Sequence, residues 1–537
     1  MIFSKKLFKY LASLLVVGVL ISSCDNGLDG LNDNPNAPTD VPVELILPQT
    51  IENSMNRLYS MSGVNGYIGA IWAQSYAKVQ YTDEDRYDFS GRITLINNLW
   101  QSYYATSLKD LNIIRQKAMD NNNPNAQAIA EILMAWNFHQ MTDLWGDIPF
   151  SEALKGLEEN PDERITNPAY DSQEDIYAGL LDMLESAANR IDPAGASPGG
   201  ADLIFSGDMA KWEKLANSLR LRVYMRMSEV DESTASAGIA NIINSGAPLL
   251  ESHDDNAQLE YLQYPSNNPV NDFSRTREDH KISHTTLSWL DELNDPRMRI
   301  YAAPMRNQNP DGGATTEIYT ASNGLNYQGV INGSQDNSIG LAQASTMGHY
   351  FVSPTSPGRI MTYNEVLFIR AEAAARGFTG EDAGSLYEDA VAESMRLYTQ
   401  ERMDPVLNAF PGDIAFNHQG FDASQFPEGI TEQEITDYLS QPEVAWNTGQ
   451  GWSDDNMEKL ALQKWLALYS QGLETWSEWR RLGYPELDPG PLAVLPEVPR
   501  RIDYPTTEQS LNNANRQEAL SRQGEDSFLT RIWWDVN

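Results

Sequence analysis

The chain has 537 residues, 41% of them apolar, and carries 75 acidic against 38 basic side chains for a net charge of −37. That balance excludes a nucleic-acid partner, which needs a basic footprint, and argues against electrostatic docking on an anionic lipid surface. The apolar share supports a sizeable core, and the single cysteine excludes an internal disulfide or a thiolate metal cage.

The first element is a leader. Lys5, Lys6 and Lys9 precede an apolar run from Leu11 to Ile21. At about eleven residues this run is too short to span a bilayer and suits a secretory h-region. Ser22 and Ser23 are small, as a signal peptidase requires, and the sole cysteine, Cys24, follows them. Ile21-Ser22-Ser23-Cys24 resembles a bacterial lipobox, which implies that residues 1–23 are a signal peptide and that Cys24 is lipidated. Acyl chains on Cys24 would hold the protein to a membrane through the anchor alone. Residues 24–40 are acidic and rich in Asn, Gly and Pro, and read as a flexible tether into one domain over 41–537.

Helical periodicity then dominates. The apolar spacing predicts helices over Glu44–Tyr59, Leu95–Met119, Ala126–Leu144, Ser172–Arg190 and Asp208–Ser228, with Asp208 as an N-cap. From about 253 to 352 the period weakens, and only Thr285–Leu293 reads as helical. Helices return at Thr362–Arg376 and Asp382–Tyr398, separated by Gly377 at a C-cap position. A second irregular stretch covers 405–451. The last strong pattern, Met457–Trp479, places Leu462, Trp465, Leu466, Tyr469, Leu473 and Trp476 on one apolar stripe. Strand signals are sparse. The expected fold is mainly α, a tetratricopeptide-like scaffold of helical hairpins with long irregular loops and few short strands.

Motifs for catalysis fail on context. Gly195-Ala196-Ser197-Pro198-Gly199 matches a nucleophile-elbow string, but that elbow needs a strand before it and here a Pro/Gly loop follows a helix. The stretch from Asn307 begins like a calcium loop, yet Ile318 stands where a bidentate glutamate belongs. His280 and His284 have ligand spacing without an accompanying HExxH. Paired carboxylates are too numerous among 75 acids to single out a glycosidase pair. The chain reads as a binding protein, not an enzyme, with no cofactor.

Several blocks in fixed order carry a resemblance. Ala130 to Trp136 leads into Met141-Thr142-Asp143-Leu144-Trp145-Gly146-Asp147-Ile148-Pro149-Phe150. Asn364-Glu365-Val366-Leu367-Phe368-Ile369-Arg370-Ala371-Glu372 and Gln463-Lys464-Trp465 follow. Then come Trp476-Ser477-Glu478-Trp479-Arg480-Arg481-Leu482-Gly483, Pro499-Arg500-Arg501-Ile502-Asp503-Tyr504 and the closing Trp533-Trp534-Asp535. With the lipobox, this succession resembles the SusD/RagB family of outer-membrane lipoproteins, in its SusD-like nutrient-binding branch.

The resemblance implies a surface-exposed protein of the outer membrane. It would capture glycan or peptide cargo and act as the lid of a SusC-like TonB-dependent transporter. Asp25, Asp29 and Asp33 loosely resemble the acidic surface-export signal of such lipoproteins. Asp143 and the Gly146-Asp147 pair are expected to shape a helix end and turn, and Arg480 and Arg481 to pair with buried acids. Ligand contacts in this family come from variable loops, so they are sought by chemistry: aromatic platforms beside polar forks. The candidates are Trp72, Tyr76 and Tyr81 early in the chain, then Tyr264, Asn268, Arg275, Arg277 and Asp279 in the long loop, with Trp289 just beyond. The competing readings are a surface scaffold for other proteins and a glycan hydrolase.

Overall fold

Side-chain caps start many of the helices. Asn123 accepts from the Ala126 amide with Pro124 in the first turn, and Ser172, Asp208, Asp231, Asp382 and Ser453 cap in the same way. The computed structural model describes residues 41–157, 160–308, 314–318, 326–410 and 426–537, with backbone only at 306–308 and 314–318. The leader, Cys24 and the tether lie outside the described residues, as does the middle of the stretch from Asn307 to Ile318.

The principal helices in chain order are α1 (Val43–Tyr59), α2 (Ile93–Ser102), α3 (Lys109–Asp120), α4 (Pro124–Trp145), α5 (Gln173–Arg190), α6 (Met209–Arg226) and α7 (Glu232–Ser245). They continue with α8 (Pro269–Ser274), α9 (His284–Glu292), α10 (Tyr363–Ala375), α11 (Ala383–Arg396), α12 (Asp454–Ala467), α13 (Gly472–Leu482) and α14 (Asn513–Gln523). Among the described residues six short strands form three separate antiparallel pairs: β1 (Tyr76–Lys78) with β3 (His280–Ile282), β2 (Ala257–Leu259) with β6 (Gly358–Met361), and β4 (Arg306–Gln308) with β5 (Ala314–Ile318). The mainly helical reading holds. Successive helices pack as antiparallel neighbours along α3, α4, α5 and α6, and α10 pairs with α11 while lying on α6 and α12. Among the described residues the main apolar core runs from Leu47 to Trp534, with a small separate cluster of Ala77, Val79, Val330 and Ala344.

α4 sits at the centre, and almost every side chain from Asn125 to Trp145 is buried. A helix apolar all round must be covered all round, and α3, α5 and α6 cover it. Gly146 ends it in the left-handed region at φ +82°, and Asp147 then accepts from the Gln173 amide to start α5. That turn is as expected. Asp143 differs from expectation: it is a hub between elements. Its carboxylate accepts from Tyr177 Oη at 2.6 Å and Trp534 Nε1 at 2.9 Å, and lies 3.2 Å from Arg226.

Arg481 pairs with buried acids as anticipated, forking onto Glu372 with two 2.6 Å bonds and reaching Glu478 at 2.7 Å. Arg480 does not. Its guanidinium donates to the Asp143 and Arg500 carbonyls and lies over the Trp476 and Trp534 rings, 3.5 and 4.6 Å from their centroids. Carbonyl dipoles and ring faces replace a carboxylate there, and burial pushes the guanidinium down to about 9, so it stays charged at neutral pH.

Two readings of the irregular regions are revised. The single stripe over Met457–Trp479 is broken between Leu468 and Gln471 into α12 and α13. The reason is a crossing of two backbones. A methyl group on Gly472 would stand 2.3 Å from Ala70 N, and one on Gly69 would stand 2.4 Å from the Gly472 carbonyl carbon. Only glycines admit that approach. Short helices also occur where none was expected: α7, α8, Met298–Tyr301, His349–Val352, Gln400–Leu407 and Glu432–Leu439.

Candidate functional site

The β1–β3 pair builds the site. Its register, Tyr76 opposite Ile282 and Lys78 opposite His280, puts the outgoing end of β1 beside the incoming end of β3. The segment 79–92 leaves one strand and the segment 260–279 enters the other, so two loops far apart in sequence share one end of a two-stranded ribbon. Asn332 locks the join, donating to the Tyr76 carbonyl at 2.8 Å and to Asp85 at 2.7 Å.

The loop after β1 is held in an unusual shape. Tyr81 has φ +54° and Tyr87 φ +63°, left-handed conformations that cost an L-residue about 1–2 kcal/mol each. Polar anchors hold this strain. Thr82 donates through its amide and hydroxyl to Asp336 at 3.0 and 2.7 Å, Gln80 donates to Asn337, and the Asn337 amide donates to the Val79 carbonyl. The result turns the Tyr81 ring outward, with 58% of the residue exposed. Strain of this kind concentrates where a side chain has a task.

Around Tyr81 lies a chain of rings and cations. The Arg277 guanidinium is 5.3 Å from the Tyr81 centroid and 5.5 Å from that of Phe273. Phe273 meets His280 edge-on at 5.0 Å, and His280 stacks with Tyr67 at 6.1 Å and 13°. Lys78 and Arg92 in turn face the Tyr67 ring at 4.7 and 5.4 Å. Just before α8 the Tyr264 ring projects with 72% exposure, and the Arg275 guanidinium lies 5.4 Å from its centroid. Each guanidinium lies beside a ring, and guanidinium groups are suited to forking onto polar groups.

Beneath this surface is a buried polar floor. Lys78 Nζ is 2.8 Å from Glu84 and 3.6 Å from Asp279, and Arg92 reaches the other Glu84 oxygen. His280 donates from Nε2 to the Gly66 carbonyl at 2.7 Å, and burial pushes its imidazole down to about 4, so it is neutral. Asp85 is fully buried, and desolvation pushes its carboxyl up to about 7 although the Lys78 amide and Asn332 both donate to it. Lys281 is equally buried and is pushed down to about 8.

The candidates separate cleanly. Tyr81 with Arg277 and Tyr264 with Arg275 form two ring–cation pairs with exposed tyrosines. Trp72 and Tyr76 are corrected to core residues, fully buried against Phe89, Trp476 and Phe528 and against Tyr469 respectively. Asn268 is a buried cap, accepting from the Val270 amide to start α8. Asp279 is a buried counter-ion of Lys78 and Arg277, not a surface fork. Trp289 lines a separate groove of about 340 Å³ with Tyr484, Glu292, Asp455 and Glu458. Tyr67, Phe273 and Arg92 also belong to the site; Tyr67 and His280 come together from distant parts of the chain, and Phe273 meets Arg277 and His280 only through the turn after α8.

Elsewhere, Ser197 of the elbow-like string staples its own loop, donating to the Gly207 carbonyl at 2.7 Å. His280 is in a strand and His284 is exposed at the start of α9, so they share no helical face. Among the described residues no group of three or more potential metal ligands occurs, and no helix is long and apolar enough to cross a membrane.

Comparison with known proteins places this architecture. Residues 35–505 match the SusD-like family described as starch-binding and associating with the outer membrane. No curated protein sequence matches. Among solved structures, a chitin-binding protein is 25% identical with a TM-score of 0.75, over 92% of this chain and 100% of that one. A SusD homologue from Bacteroides fragilis is 24% identical with a TM-score of 0.71, over 92% and 99% of the two chains. A chitin-binding SusD homologue from Flavobacterium johnsoniae is 24% identical with a TM-score of 0.70, over 91% and 99%. With the helical frame, the ribbon and the family match along most of its length, this chain belongs to the SusD-like family.

Proposed function

We propose that this protein is a cell-surface binding lipoprotein, anchored through Cys24, that captures glycan cargo for a SusC-like TonB-dependent transporter and serves as its lid. The observation that carries the reading is the ring platform at the end of the β1–β3 ribbon: Tyr81 and Tyr264 outermost, with Arg277 and Arg275 laid against them. Sugar rings present apolar C–H faces and a rim of hydroxyls. Exposed tyrosines supply the stacking surface and guanidinium edges the donors. The starch-binding description of the family and two chitin-binding structural relatives support a carbohydrate ligand over a peptide.

The test is binding of starch- and chitin-derived oligosaccharides to the purified protein by calorimetry. Tyr81→Ala with Tyr264→Ala is expected to weaken the preferred sugar by tenfold or more, about 1.4 kcal/mol. Unchanged affinity would refute the platform. Metabolic labelling with a fatty acid, present in the wild type and lost in Cys24→Ala, tests the anchor. Co-purification of a barrel from solubilised outer membranes tests the lid.

A further inference from the structure

Resting on that glycan reading, we propose that the platform selects an acidic sugar chain, an oligosaccharide carrying carboxylate or sulfate groups. The chain as a whole has about two acids for each base, 75 against 38. At the platform two guanidinium groups stand beside exposed rings. Lys78 and Arg92 face Tyr67, Arg275 faces Tyr264 and Arg277 faces Tyr81, while Glu84 and Asp279 engage Lys78, Arg92 and Arg277. Asp88 and Asp336 add carboxylates on the Tyr81 side, so what marks the platform is two guanidinium groups whose terminal nitrogens no carboxylate engages among the described residues, not its net charge. Arg86 and Asp83, nearby, neutralise each other at 2.7 Å. The exposed acid on the same short helix is Asp272.

Those two guanidinium groups are Arg275 and Arg277. Lys78 and Arg92 are engaged by Glu84 in the floor. Arg277 touches a carboxylate only through Nε, 3.3 Å from Asp279, which leaves its two terminal nitrogens for a ligand. Arg275 faces the Tyr264 ring and is within salt-bridge reach of no carboxylate among the described residues. A neutral glycan needs ring faces and amide or hydroxyl partners. Two guanidinium forks beside exposed rings match the planar oxygens of a carboxylate or the oxygen triangle of a sulfate. On a body of charge −37 such groups would be repelled from most of the surface, so the patch also selects where they land.

The experiment measures affinities of the full-length protein for size-matched pairs: an oligogalacturonate and its methyl ester, and a sulfated oligosaccharide and its desulfated form. The charged member of one pair is expected to bind tighter by about tenfold or more, and which pair shows it distinguishes uronate from sulfate. Arg275→Gln with Arg277→Gln should bring that ratio to within about twofold of unity, and Asp272→Asn should raise it. Neutral glycans bound as well as or better than charged ones would overturn the acidic preference and leave the glycan reading standing. Failure of every sugar to bind would overturn both.

Discussion

Asp85 makes stability depend on pH in an unusual direction. Its carboxyl is fully buried and pushed up to about 7 by desolvation, from 3.8 in the unfolded chain. Between those values the folded protein holds a proton that the unfolded chain has lost. Stability is therefore present at low pH and falls as pH rises through this window. From pH 5 to pH 7 the two pKa values give a loss of about 2 kcal/mol from this group alone. Asp85→Asn removes the titration at the cost of about 1 kcal/mol, because one of the two donors, the Lys78 amide or Asn332, loses its acceptor. Other buried carboxyls also titrate, so the informative quantity is the difference between wild type and variant. Urea unfolding at pH 5, 6 and 7 should show the wild type losing about 2 kcal/mol more than Asp85→Asn across the series. Parallel pH dependences would refute the assignment. The same carboxyl ties the Tyr81 loop to Asn332, so sugar affinity should weaken along with it.

Two further predictions concern the frame. Burial opposes the charge of Glu372, yet Arg481 and Arg376 hold its carboxyl below the ordinary range. Glu372→Gln, which leaves Arg481 buried with only Glu478 as counter-charge, should cost about 3–5 kcal/mol in denaturant unfolding, and a loss under about 1 kcal/mol would show the pair to be dispensable. Gly472→Ala puts a methyl group 2.3 Å from Ala70 N and should destabilise by about 1–3 kcal/mol or more. Thermal unfolding measures it, and an unchanged midpoint would mean that the two backbones separate freely.

Legibility followed the range of the physics involved. α1, α4, α5, α6, α10 and α11 were readable to within a few residues, since periodicity and caps act over one or two turns. The break between α12 and α13 was not, because an apolar stripe continues across it and its cause, the contact of Gly472 with Gly69 and Ala70, lies about 400 residues away. Aromatic chemistry identified Tyr81, Tyr264, Arg275 and Arg277 but could not tell Tyr81 from Tyr76, five residues earlier. Strand pairing sends Tyr76 inward onto Tyr469, and a left-handed turn sends Tyr81 out. Arg480 and Arg481 are adjacent and chemically identical, yet one meets carboxylates and the other carbonyls and indoles. Which face of α13 each occupies decides that, and both faces are buried.

The pairing of Tyr76 with Ile282 has a kinetic side. The hairpins of α3 to α6 join residues close in sequence, and such contacts form early, whereas the ribbon must close a loop of about 200 residues. The platform is thus expected to be among the last parts of the molecule to assemble. A chain arrested just before that step would already have nearly its full helix content and nearly its native circular dichroism, yet no place for a sugar. Ligand binding, not helicity, is the measure of whether a preparation of this protein has finished folding.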